Sequence, residues 1–343
     1  MLTKYSLLLS LLVAGPQLYA KDQDTKIESQ RGKSWFTPPS DPDEPRSDIW
    51  VPAVSFILPG FGQFLNGEYT SGSVYAGLAL GGYAYANRVR SADDIEHARQ
   101  LAEQRAKVYG DKDPPSILDQ KGVGVRKYTL GQLVAQGSGG FSAYQSFRMA
   151  ATTRRQQGEY EFLTRDETPM DIFGSIFHFQ YLSRPSTLIP LAIGAGLAYL
   201  RVNSALPDNM VRDNYTSADA FFTASFSANA GTHEEAVFRG WIMPMLREQT
   251  GSDLWSNVLQ GAVFAAAHLS TNATPLPQLL LGLDLGYISQ RNGWTLGESV
   301  FIHTWWDVFA FWAQYQTTWK YAKSPLAAKA LPVLWLPPLE WAF

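Results

Sequence analysis

Charged side chains are distributed unevenly along the chain. Five windows contain none: residues 49–67, 69–87, 128–147, 185–200 and 254–283. About 20 predominantly apolar residues in a helix cross the hydrocarbon core of a bilayer, and several of the windows reach that length. They are diluted with Gly, Ser, Thr, Gln and Asn, the small and weakly polar residues that let membrane helices pack closely. A soluble helix would carry a charged face, which these lack. Trp50, Tyr69, Tyr128 and Trp255 stand at window ends, where amphipathic rings suit a membrane interface. The 30-residue window 254–283 would make a helix about 45 Å long, more than one crossing. Pro275 and Pro277 predict that it splits in two, with the break near Ser270, Thr271 and Asn272. Pro52 and the Pro59-Gly60 pair interrupt the first window, which reads as re-entrant. The expected fold is all-α: a polytopic transmembrane helical bundle of roughly six to eight membrane helices.

Two polar stretches separate the windows, 88–127 and 151–171, and the first predicts a helix in ADDIEHARQLAEQRAKVYG. They flank the third window and so face opposite sides of the membrane. The nine Lys and Arg of 88–127 favour the cytoplasmic side. A cleaved leader followed by two full crossings would place it outside, so the two arguments conflict unless the first window is re-entrant. The leader is residues 1–20: Lys4 opens it, Ser6 to Ala14 form a short apolar stretch, and Ala20 precedes a polar segment. Residues 21–48, rich in proline, form a solvated lead-in. Residues 49–217 make an N-terminal membrane region, 218–316 the chemically marked core, and 317–343 an apolar tail. The expected location is a multi-pass position in the inner (cell) membrane of a bacterium.

Composition adds exclusions. A mean hydropathy of −0.15, with 45% hydrophobic and 17% charged residues, resembles a soluble protein, yet it averages apolar windows with polar connections. The net charge of −3 offers no basic excess for nucleic acid. Cysteine is absent, which excludes disulfides, thiolate metal sites and cysteine nucleophiles. Imidazole chemistry is confined to His97, His178, His233, His268 and His303.

Three of those histidines lie in patterns set in apolar helices: His233-Glu234-Glu235-Ala236-Val237-Phe238-Arg239-Gly240, Phe264-Ala265-Ala266-Ala267-His268, and His303-Thr304-Trp305-Trp306-Asp307. Adjacent carboxylates in an uncharged neighbourhood are costly to bury. Glu235 and Arg239, four residues apart, can pair on one helix face. Glu234 is then turned about 100° away, free to face a cavity and suited to general-base work. His268 ends a run of small residues in the longest uncharged window, where an ionisable group is functional by default. His303 and Asp307 are one turn apart and can touch, the acid fixing the imidazole tautomer. Each pattern has an ordinary alternative: a surface ion pair, a histidine bonded to a backbone carbonyl, a polar helix-packing pair. Together they point to one buried polar site.

His233-Glu234 begins like the zinc-protease pattern H-E-x-x-H, but Val237 stands at the place of the second histidine, which excludes the standard zincin helix. Glu234, His268 and His303 could still supply three ligands to a catalytic zinc. No cofactor is preferred; zinc is the alternative.

The ordered set E-E-x-x-x-R, F-x-x-x-H and H-x-x-x-[N/D] resembles the CPBP family, the CAAX prenyl protease and bacteriocin-processing intramembrane proteases also called Abi. Phe238-Arg239-Gly240, the run LLLGLDLGYI and Trp294-Thr295-Leu296 are similar to that family too. The resemblance covers residues 218–316. Separately, SFILPGFGQFLNGEY resembles the Pro-Gly-x-Gly-Gln turn of small membrane hairpin domains. The CPBP resemblance implies peptide-bond hydrolysis at the membrane on a membrane protein or peptide substrate, with no nucleic-acid partner. By position, Glu234 and His268 would activate water, His303 with residue 307 would stabilise the oxyanion, and Glu235, Arg239 and Phe264 would support the site. Position 307 is Asp where the prenyl protease has Asn. An ionised Asp cannot donate to an oxyanion, so Asp307 is expected to orient His303 and keep it a donor, or to ligate a metal. The rival readings are a non-catalytic scaffold or immunity-type protein of the same fold, and a proton-coupled transporter.

Overall fold

Proline and glycine set the first boundaries. In the computed structural model, which describes residues 46–89, 123–206, 210–268 and 275–319, helix α1 (Trp50–Ile57) stops before Pro59, and Gly60, at φ 95°, turns the chain into the short α2 (Phe61–Leu65). The first window is therefore broken, as its prolines predict. A side chain on Gly60 would meet the carbonyl of Gly72 as well as adopting a left-handed backbone. Helix α3 (Tyr69–Val89) takes up the second window, and the third lies inside the long α4 (Val123–Arg155). The leader, the lead-in up to residue 45, the helix expected in 92–110 and the tail beyond 319 lie outside the described residues.

After a polar loop, α5 (Pro169–Gly174) begins with a capping box between Thr168 and Asp171. Two 3-10 turns, Ser175–Phe177 and Phe179–Ser183, lead into α6 (Pro185–Asn203). Among the described residues, α6 alone is long and apolar enough to cross a membrane by length and composition. Beyond it, β1 (Met210–Arg212) pairs antiparallel with β2 (Thr317–Trp319) at the end of the described chain. Between these strands lies the core: α7 (Ser217–Val237), a π turn (Phe238–Ile242), α8 (Met243–Thr250), α9 (Asp253–Ala267), α10 (Leu276–Arg291) and α11 (Gly297–Gln314). The longest window is divided between α9 and α10, as Pro275 and Pro277 predict.

Packing joins α3 to α4, α4 to α1 and α7, α7 to α11, α11 to α6, and α9 to α10. Small residues bring these helices close. At the α3–α4 crossing, a Cβ on Gly82 would stand 2.5 Å from the Gly131 carbonyl oxygen, and one on Gly131 2.6 Å from that of Gly82. Only two glycines permit such an approach.

The interior between α1, α2 and α4 is polar. Ser55 and Ser146 hydroxyls are 3.0 Å apart, Gly60 N–H donates to Ser142 Oγ (2.8 Å), and Gly62 N–H to Ser55 Oγ (2.8 Å). The wholly buried Gln63 donates to the Ser142 carbonyl (3.0 Å) and accepts from the Ser142 hydroxyl (2.8 Å). The Pro59-Gly-Phe-Gly-Gln63 turn is thus a docking device: its glycines let the chain turn and approach, and its glutamine bonds α4. Outward faces are the reverse. Leu78 and Leu80 of α3, Ile189, Ile193 and Leu197 of α6, and Leu280 of α10 are all exposed.

Replacing Gln63 by Leu removes two hydrogen bonds and leaves the buried Ser142 hydroxyl proton without its acceptor, at about 1–3 kcal/mol. The expected outcome is a lower melting temperature in detergent, with Ser73→Ala, at an exposed position of α3, melting like the parent.

Candidate active site

Helix α7 carries the paired glutamates near its C-terminal end. It is started by a capping box in which Thr216 Oγ1 accepts from Asp219 N–H and the Asp219 carboxylate accepts from Thr216 N–H. It lies tight against α11, because a Cβ on Gly231 would collide with Thr304. Directly after Val237 the helix widens into the π turn, a feature frequent at functional sites.

The expected Glu235–Arg239 pair is present: Arg239 Nη1 donates to Glu235 Oε1 at 2.8 Å, and both side chains are completely buried. The same carboxylate oxygen lies 2.8 Å from His303 Nδ1 on α11. Arg239 Nη2 donates to the Gly282 carbonyl of α10 (3.1 Å), and the guanidinium lies over the Phe264 ring of α9, 4.5 Å from its centroid. One ion pair, carried by α7 and its π turn, therefore contacts three further helices.

Nδ1 of His303, facing a carboxylate already paired with Arg239, is the donor in that bond, so Nε2 is the nitrogen turned toward the other two acids. It lies 3.7 Å from Glu234 Oε2 and 3.7 Å from Asp307 Oδ2, both beyond hydrogen-bond length. Glu234 and His303 are nearly buried, at 7% and 4% side-chain exposure, while Asp307 is open to 19%. Among the described residues, Glu234 Oε2 has no hydrogen-bond partner. Asp307 approaches the imidazole only to 3.7 Å, whereas Glu235 lies 2.8 Å from Nδ1.

His268 caps the C-terminal end of α9. Its Nδ1 is 2.8 Å from the Phe264 carbonyl, and its ring lies 4.5 Å from that of Phe264. Phe264 also meets the rings of Phe238 (5.0 Å) and His303 (5.9 Å). Glu234, Glu235, His303 and Asp307 are thus drawn within 4 Å contacts, and His268 stands beside them across Phe264. Among the described residues, no three His, Asp or Glu side chains are arranged to hold a metal ion. The trio Glu234, His268 and His303 does not form such a set.

His233, the first residue of its motif, has a different place: Nδ1 is 2.6 Å from the Asn229 carbonyl of its own helix, and the side chain faces Gly140 of α4. Sequence reasoning missed Glu298. It is buried at the start of α11 and is the acceptor for Arg184, Ser186, Thr187, Arg291 and Asn292. The signal was available, since Glu298 is the only Asp, Glu, Lys or Arg between Arg291 and Asp307. Also missed was the amide layer between α9 and α10. Asn257 donates to the Leu283 carbonyl (2.9 Å) and Gln260 to the Gly282 carbonyl (2.8 Å), while Gly286 leaves room for both side chains. In the loop before α5, Glu167 accepts from Leu296 N–H at 2.8 Å and steadies the entry to α11. Burial pushes its carboxyl above the usual range, against the lowering effect of that bond.

No curated protein and no solved structure gives a significant match to the chain. Residues 216–309 match the family model described as Type II CAAX prenyl endopeptidase Rce1-like. That span begins at the cap of α7 and ends just past Asp307, so the matched segment holds all three motifs and is similar to the CAAX protease family that they resemble.

Proposed function

We propose that the protein is an intramembrane endopeptidase that hydrolyses a peptide bond of a membrane-associated protein or peptide. The observation that carries this reading is the Glu234 carboxylate: nearly buried, unbonded at Oε2, and 3.7 Å from the Nε2 of an imidazole whose other nitrogen is held at 2.8 Å. Glu235 also has one oxygen without a partner, but its other oxygen is held by Arg239 and His303 at 2.8 Å, whereas Glu234 has no such cation within hydrogen-bond distance. A general base needs a lone pair free to take a proton.

In this reading Glu234, assisted by His268, takes a proton from water, and the hydroxide attacks the scissile carbonyl carbon. The carbonyl oxygen becomes an oxyanion and accepts a hydrogen bond from His303 Nε2–H. The intermediate collapses, the C–N bond breaks, and the proton held on Glu234 passes to the leaving amine. Glu235 holds His303 with its donor side toward the oxyanion, and Arg239 holds Glu235. Asp307 acts by charge: 3.7 Å from Nε2, it favours the imidazolium that donates. Phe264 keeps Arg239, His268 and His303 in register. The exposed apolar faces of α3, α6 and α10 support a multi-pass position in a membrane, with α6 as one crossing.

Glu234→Gln removes the base and keeps the volume. Cleavage of the native substrate is expected to fall about 10²–10⁴-fold with an unchanged melting temperature; undiminished cleavage by a folded variant rules the mechanism out. Activity is expected to persist after chelation and dialysis. Loss that added zinc restores would establish a metal enzyme. Because Glu235 already orients His303, Asp307→Asn is expected to stay within about tenfold of the parent rate, far above Glu234→Gln.

A further inference from the structure

A second polar constellation lies at the other end of α11 from Asp307. The N-terminus of α6 and the C-terminus of α10 enclose an open cavity of about 400 Å³ lined by Arg184, Pro185, Ser186, Arg291 and Asn292. Glu298 forms its foundation. The carboxylate is fully buried and takes five donors: Arg184 Nη1, Ser186 Oγ, Thr187 Oγ1 (2.9 Å), Arg291 Nη2 (3.3 Å) and Asn292 Nδ2 (2.8 Å). Arg291 Nη2 also donates to Ser186 Oγ at 2.8 Å. Two guanidiniums against one buried carboxylate leave one positive charge at the mouth. Asp284 on α10 is within electrostatic reach of Arg291 but does not line the cavity. The arginines are 46% and 40% exposed, so each keeps N–H groups toward the opening.

The surroundings are apolar and exposed. Met170, Phe173, Phe177, Phe179 and Leu182 project from α5 and the 3-10 turns leading to Arg184. Beyond Arg184, Leu188, Ile189 and Ile193 project from α6, the helix of membrane-crossing length. A segment with apolar side chains turned outward suits the headgroup–acyl boundary, and a cationic cavity between it and the crossing helix sits at headgroup height. Guanidinium pairs bind phosphate oxygens in charge-assisted, two-pronged contacts, and Ser186 and Asn292 add uncharged polar groups beside them.

We propose that the Arg184–Arg291 cavity binds the phosphate of an anionic membrane phospholipid, anchoring the α6 end of the bundle at the bilayer surface. The site is separate from the Glu234 cluster and shares with the proposed function only the placement of α6 in the membrane.

The full chain, purified in detergent, is titrated by native mass spectrometry with dihexanoyl phosphatidylglycerol, dihexanoyl phosphatidylcholine and inorganic phosphate. Saturable binding of the phosphatidylglycerol is expected, weakened about tenfold in Arg184→Gln and Arg291→Gln, roughly the loss of one charge-assisted bond, and weakened less in Arg291→Lys, which keeps the charge but not the two-pronged contact. Equal affinity in folded Gln variants, absence of saturable binding, or preference for phosphatidylcholine overturns the proposal. Displacement of the lipid by equimolar inorganic phosphate assigns the cavity to a free anion and overturns it as well. Because Glu298 depends on both arginines, a variant that fails to fold is replaced by photocrosslinking of the parent with a diazirine-bearing phosphatidylglycerol. Labelled peptides must include residues 184–186 or 291–292; labelling confined elsewhere overturns the site. The membrane placement is tested separately. The chain has no cysteine, so Ile193→Cys in membranes should resist an impermeant maleimide, and its labelling would refute the crossing whatever the lipid result.

Discussion

The carboxylate of Glu235 is the point on which the core depends. It is wholly buried, and one of its oxygens meets both a guanidinium and an imidazole at 2.8 Å. Burying an ion pair gives little net stability, because desolvation opposes attraction. Removing one partner is different: it strands a charge at about 3–5 kcal/mol. Arg239, Glu235 and His303 therefore persist together or fail together. Through Arg239 the same unit reaches the Gly282 carbonyl and the face of Phe264. The relative positions of α7, α9, α10 and α11 are thereby tied to one charge balance.

Elsewhere the fold combines apolar clusters buried between helices with polar contacts across them. Serine, glutamine and asparagine side chains bond from helix to helix, while further leucines and isoleucines face outward. In hydrocarbon, apolar side chains gain nothing by leaving the solvent, so association rests on close packing and interhelical hydrogen bonds. The Gly82–Gly131 crossing supplies the first; Ser55, Gln63, Ser142 and Ser146, and Asn257 with Gln260, supply the second. A rigid, polar interior of this kind can hold ionisable groups in fixed positions, as the Glu235 unit requires.

Much of this was legible because it depends on local rules. Pro59 and Pro275 mark breaks that the helices respect, while Pro52 and Pro277 sit in the first turns of α1 and α10, and four-residue spacing foretells the Glu235–Arg239 bond. Charge-free windows gave helix positions to within a few residues for α3 and α6. What escaped depends on distant partners. The bond between Glu235 and His303 joins residues 68 positions apart, and no periodicity links them; sequence spacing points instead to Asp307, the acid nearest to His303 along the chain. Glu298 escaped for the same reason, since its donors come from α6 and α10 as well as its own approach. His233 misled in the opposite direction. A motif boundary drawn by eye includes it, but its imidazole bonds its own helix.

Two adjacent glutamates with opposite fates follow from the helix itself. Successive residues differ by about 100° around the axis, so one member of the pair can face Arg239 and the other cannot. Glu235 takes the cation and the imidazole Nδ1. Glu235 too keeps one oxygen without a hydrogen bond, but only Glu234 lacks a cation at hydrogen-bond distance, its Oε2 standing 3.7 Å from Nε2 of the same imidazole. Were Glu234 given a cation of its own, its lone pair would be consumed in structure; were Glu235 deprived of one, a second bare carboxylate would crowd the first. The asymmetry is therefore a condition for chemistry at Glu234. It is enforced three residues before the backbone widens into the π turn, where Arg239 leaves the helix to reach Glu235, Gly282 and Phe264 together.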